Sequence, residues 1–165
     1  MARVESYDLH ADGSVPRLDL DWPGALREIV GTETYLIATV RPDTTPHVVP
    51  VLGVWVDDRL TFNTSGTARK ARNLTYNPAI TVAAPGSEYD FTIEGTARQV
   101  TSEDSLRLVA TAFPAKYPWW HPQVRDGRFI AEETGAPREV FAVDAHQVFG
   151  FGNAKGFAAT RWTFG

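Results

Sequence analysis

The segment TFNTSGTARKARNL, residues 61–74, carries side chains suited to gripping an anion. A strand-like stretch ends in Asn63, Thr64 and Ser65, a glycine follows, and Arg69, Lys70 and Arg72 open a helix-like stretch. Hydroxyls and backbone N–H groups at a helix N-terminus bind phosphate readily. Arginine adds a two-pronged donor and lysine a compact charge. Basic residues at a helix start oppose the macrodipole, and an anionic ligand relieves that mismatch. The same residues also suit a solvated basic turn, and spacing alone leaves both readings open.

Other chemistry finds little support. The chain has no cysteine, which excludes disulfides, thiol nucleophiles and thiolate metal sites. His10, His47, His121 and His146 form no i, i+4 pair and are not grouped with carboxylates, so no metal is expected. Glu132 and Glu133 are adjacent and point apart, which suits a solvated face better than acid–base work. Neither a G-x-S-x-G elbow nor a G-x-G-x-x-G turn after a strand occurs. KYPWWHP, residues 116–122, brings Trp119 and Trp120 beside His121. It can line a substrate mouth, pack on a barrel end, or serve a dimer interface.

Composition sets the frame. The 165 residues suit one domain, 1–165, with 1–21 as an extended N-terminal arm. Hydrophobic residues make up 43 %, enough for a real core. A net charge of −4 gives no basic footprint for nucleic acid. The polar start MARVESYDLHADGS lacks the apolar stretch of a signal peptide, and no long apolar run suggests a membrane span. A cytoplasmic protein is therefore expected.

The elements that position the basic segment follow from pattern. DWPGALREIV, 21–30, has helix-start chemistry in Asp21 and Pro23, with Leu26, Ile29 and Val30 as the apolar face. Strands are expected over 34–40, 46–56 and 59–64, joined by short turns as a meander. A short helix within 65–78 stops near Asn77-Pro78. Strands are then expected over 79–84 and 88–101, with a bulge or close backbone approach at Gly95. A helix over 102–113 starts at Ser102 with Glu103 and Asp104 in its first turn. Strands over 138–152 and 156–164 end the chain. About six strands with two or three helices suggest a mainly β fold, an antiparallel barrel with short helices at its ends.

The ordered set PHVVPVLGVW … RLTFNTSGTARKARNLTYNPAITVAA resembles the pyridoxamine 5′-phosphate oxidase-like superfamily of flavin- and deazaflavin-binding split β-barrels. The resemblance covers residues 34–101 well and GFAATRWTF more loosely. It implies an antiparallel split β-barrel of the FMN-binding type, with FMN or the deazaflavin F420 as cofactor. The strand backbone at Val49, Pro50 and Val51 would pass along the ring. Asn63, Thr64 and Ser65 would meet the ribityl phosphate, and Arg69 and Lys70 would hold it. The resemblance also implies a homodimer acting on a small-molecule substrate. Arg161 and Trp162 of the second subunit would close the site, although Trp162 also suits a core position. The vitamin B6 oxidase carries an arginine where this chain has Val49, and a basic pattern that the final strand here lacks. An FMN or F420 oxidoreductase is therefore expected, with no catalytic side chain assigned. The alternative is a non-catalytic flavin-, F420- or haem-binding barrel.

Overall fold

Alternating apolar residues give strands whose inward faces must meet, and here they curl around one core. The computed structural model describes residues 4–8, 10, 12–152 and 157–164. The elements are β1 (Val4–Asp8), α1 (Trp22–Gly31), β2 (Tyr35–Val40), β3 (Pro46–Val51), β4 (Gly53–Val56), β5 (Arg59–Thr64) and α2 (Arg69–Tyr76). There follow β6 (Ala79–Ala84), β7 (Tyr89–Gln99), α3 (Glu103–Lys116), β8 (Gln123–Arg125), β9 (Arg128–Ile130), β10 (Pro137–Gly152) and β11 (Ala158–Phe164). Strands make up 47 %, about twice the usual share, so the fold is mainly β, a split barrel with short helices.

All strand pairs are antiparallel, in the order β1-β11-β10-β7-β6-β2-β3. The long β10 organises the sheet: β5 pairs with its first half, β11 with its second, and β7 along most of its length. Ile37, Phe62, Val82, Ile93, Val148 and Trp162 fill the main core. A second cluster under α3 joins Leu106, Val109, Phe113 and Tyr117 to Val54, Phe129 and Val140. No described helix is long and apolar enough to cross a membrane.

The expected strand over 46–56 breaks at Leu52. β3 stays on β2, while β4 leaves it to pair with β5. Gly53 permits the crossing, because a Cβ there would stand 2.9 Å from Leu60 and 3.0 Å from Tyr35. Asp21 caps α1 by accepting from the Gly24 N–H at 2.8 Å. The buried face of α1 is Ala25 and Ile29, whereas Val30 is exposed. Helix α3 runs past Pro114 to Lys116, longer than its pattern indicates. Three strands were not expected: β1, inside the arm, and β8 and β9, which form a hairpin. Residues 1–3, 9 and 11 of the arm and residue 156 of the last strand lie outside the described residues.

Gly95 lies where the β7–β10 register shifts, between Ala145 and Gln147. A Cβ at Gly95 would meet the Asp144 carbonyl oxygen at 2.2 Å, so the two backbones approach as the sequence suggests. Gly95→Ala is expected to destabilise the fold by about 2–3 kcal/mol through overpacking. Urea unfolding measures this, and an unchanged midpoint would refute it.

Candidate functional site

Strand β5 delivers Asn63 and Thr64 to the loop before α2. Asn63 is nearly buried, and its Oδ1 accepts from Arg138 Nε at 3.0 Å. Thr64 is 2 % exposed and faces Glu139 of β10 in the register. Ser65 turns its hydroxyl onto the loop: Oγ accepts from the Thr67 N–H at 3.3 Å and lies 2.9 Å from Thr67 Oγ1. Helix α2 then begins at Arg69 behind Ala68, with no side-chain cap and no acid in its first turn. The helix itself thus supplies no anionic partner to its first N–H groups or its basic start.

A cleft of about 310 Å³ opens beside this helix start. Pro50, Val51, Leu52 and Trp119 give it apolar walls, while Asn63, Lys70 and Arg138 give it a polar end. The Arg138 guanidinium lies 5.9 Å from the Trp120 ring centroid, and Trp120 Nε1 is buried without a hydrogen-bond partner among the described residues. Burial lowers the Lys70 pKa from its ordinary range, and the Arg138 charge lowers it further. Burial likewise lowers that of Arg138, with Glu133 opposing. Among the described residues neither cation forms an ion pair. Two half-buried like charges thus share one end of an apolar cleft, and an anion between them would stabilise both. This donor set fits a phosphate, and the Pro50-to-Leu52 and Trp119 walls fit a flat ring. Arg138 also borders a second cleft, of about 510 Å³, with Ser65, Gly66, Thr67, Arg128 and Glu139.

The structure gathers Pro50, Val51, Asn63 and Lys70 around one space. Thr64 and Ser65 flank it in sequence, but Thr64 is buried away from it and Ser65 borders the second cleft. Val49 is partly buried against the barrel core and does not line the cleft. Arg69 is exposed and does not line the cleft. His47 feels the same basic group: burial lowers its pKa first, then Arg41, Lys70 and Arg69.

Arg161 and Trp162 lie on β11, with β10, β7, β6 and β2 between them and β3 in the sheet order. The Arg161 guanidinium stands 5.3 Å from the Tyr7 ring centroid, and its Nε is buried without a hydrogen-bond partner among the described residues. Trp162 requires a correction. It is 1 % exposed and packs against Trp22 and Phe91, with ring centroids 6.0 and 6.3 Å away. It is a core residue and presents no face to a ligand. Alternation along β11 sends Trp162 inward and Arg161 to the other face.

Arg138 is the residue that sequence reasoning missed. It comes to Asn63 from 75 positions away. The available signal was a charge near the start of a long apolar strand. KYPWWHP divides its roles: Trp119 is 65 % exposed at the cleft mouth, and Trp120 packs on the cluster under α3.

Solved structures share this fold. An FMN-binding, pyridoxamine 5′-phosphate oxidase-related protein of Nostoc punctiforme is 20 % identical, with TM-score 0.56 over 87 % of this chain and 90 % of that one. A structure described as an F420 reductase is 21 % identical, with TM-score 0.56 over 74 % of this chain and 93 % of that one. A heme-binding protein of Mycobacterium smegmatis is 17 % identical, with TM-score 0.62 over 80 % of this chain and 55 % of that one. No curated protein matches the sequence. Residues 23–152, most of the chain, match the family described as pyridoxamine 5′-phosphate oxidase, and the chain belongs to that family.

Proposed function

We propose that the chain is an FMN- or F420-dependent oxidoreductase that works as a homodimer on a small organic substrate. The observation that carries this reading is the pair Lys70 and Arg138 in a cleft whose described lining holds no carboxylate. Lys70 and Arg138 would hold the cofactor phosphate. Asn63 Oδ1 fixes the Arg138 side chain toward it. Pro50, Val51, Leu52 and Trp119 would exclude water along the ring. A bound flavin or deazaflavin supplies the hydride chemistry itself, so no acid–base dyad is required.

The dimer reading is supported by the outer face of β2 and β3. Leu36 and Val48 are exposed there, and Pro50 stands opposite Leu36. Large exposed aliphatics on a sheet face favour a partner surface. Arg161, on the face of β11 away from Trp162, is then a candidate to reach the cofactor of the other subunit.

A non-catalytic binding protein on the same barrel is the second reading. The observation on its side is that no His, Asp, Glu or Tyr lines the cleft. Turnover separates the two. The loaded protein is reduced anaerobically and then mixed with oxygen or an unsaturated acceptor. Reoxidation faster than that of free cofactor is the expected result. A rate no faster than free cofactor would leave the binding reading.

A further inference from the structure

Lys116, the last residue of α3, packs its ammonium group between aromatic rings. Its Nζ donates to the Gly53 carbonyl at 3.0 Å and to the Tyr35 hydroxyl at 3.1 Å. It lies 4.7 Å from the Tyr35 ring centroid and 5.3 Å from that of Tyr117. Both hydroxyls are committed elsewhere: Tyr35 donates to the Ile29 carbonyl at 2.7 Å, and Tyr117 to the Glu33 carbonyl at 2.8 Å. An ammonium has three hydrogens to donate. Among the described residues the third has no acceptor, and Lys116 forms no ion pair.

The group borders a cleft of about 500 Å³, within the range of ligand sites. Its other walls include Val30, Glu33, Leu52, Pro118 and Trp119, and both Val30 and Trp119 are exposed. We infer that this cleft binds a small organic carboxylate with an apolar body, the carboxylate accepting the free hydrogen of Lys116 Nζ. A half-buried ammonium with a free hydrogen and no ion pair favours an anion, the Glu33 carboxylate on the same cleft opposing it in part, and the apolar walls gain by covering apolar surface. Leu52 and Trp119 also border the cofactor cleft, so the two clefts adjoin and the ligand would lie beside that space. Its identity as the oxidoreductase substrate rests on the proposed function; the carboxylate site does not.

The charges around Lys116 give an independent readout. Burial pushes its amine down to about 8, and the charge of Glu33 offsets part of this. Burial holds Tyr35 and Tyr117 above their usual range, so both stay neutral there. A carboxylate at Nζ favours the ammonium form. Near pH 8, binding must therefore take up a proton.

The test is calorimetry at pH 8 on the full chain without added cofactor, in two buffers of different ionisation enthalpy. The probes are 3-phenylpropanoate, 3-phenylpropanol and inorganic phosphate. The acid is expected to bind about tenfold or more tighter than the alcohol, with proton uptake. In Lys116→Met that preference disappears, while FMN affinity stays unchanged. Equal binding of acid and alcohol, phosphate binding as tight as the acid, or no proton uptake would overturn the inference. Proton uptake is read on the parent chain, so the test stands even if the variant does not fold. Loss of FMN binding with the acid preference intact would count against the cofactor alone.

Discussion

Replacing Lys70 and Arg138 together by alanine is expected to weaken FMN binding about a hundredfold or more. Each charge-assisted hydrogen bond to phosphate contributes on the order of 1.5–3 kcal/mol. Two such contacts come to roughly 3–6 kcal/mol, and every 1.4 kcal/mol is about tenfold. The pair also repel each other in the free cleft: burial lowers the Lys70 pKa first, and the Arg138 charge lowers it further. Removing both relieves that repulsion, so the loss falls toward the lower end. Arg69→Ala is the internal comparison, because Arg69 opens the same helix but is exposed and outside the cleft. Its effect should stay below about tenfold, as for a solvent-screened charge. Flavin fluorescence titration of the three proteins decides the matter. An unchanged affinity in the double variant would remove the phosphate assignment, and a larger loss in Arg69→Ala would move the site to the exposed face of α2.

Trp162→Ala has the largest expected effect on stability, a loss of about 3–5 kcal/mol. The ring is 1 % exposed and touches two other aromatic rings, so little can collapse into the space it leaves. The backbone opposite is shaped to it: a Cβ at Gly150 would stand 2.8 Å from its ring. Denaturant unfolding gives the loss directly. FMN affinity of the folded fraction should be unchanged, because the ring reaches no ligand. A variant of normal stability that no longer binds FMN would restore Trp162 to the cofactor site.

The sequence and the structure agree where local pattern is enough. Alternation located β2, β5, β6 and β7, and Asp21 and Ser102 located two helix starts by their capping oxygens. Gly95 was legible because a strand interior tolerates glycine for few reasons, and close backbone approach is one. The misses have long-range causes. The apolar run through Leu52 hides a change of partner from β2 to β5. β1 is a polar segment that becomes a strand by pairing with β11, at the far end of the chain. β8 and β9 are three residues each, too short to show a period.

Within the candidate site, Asn63 and Lys70 were readable because strand end, loop and helix start are contiguous. Arg138 was not, because its meeting with Asn63 depends on the β5–β10 register. Arg161 and Trp162 show the limit differently. One-residue alternation sends neighbours on a strand to opposite faces, so a pair assigned together cannot both face one ligand from a single sheet face.

The most direct test of the cofactor assignment is separate titration of the purified protein with FMN and with F420, following cofactor fluorescence, with haem as control. Saturable, tight binding of one of the two, with haem bound more weakly, is the predicted result. Tight FMN binding would direct the search to oxygen and nicotinamide partners, and tight F420 binding to unsaturated acceptors. Binding of neither would contradict the assignment and leave Lys70 and Arg138 as a pair of cations without a ligand.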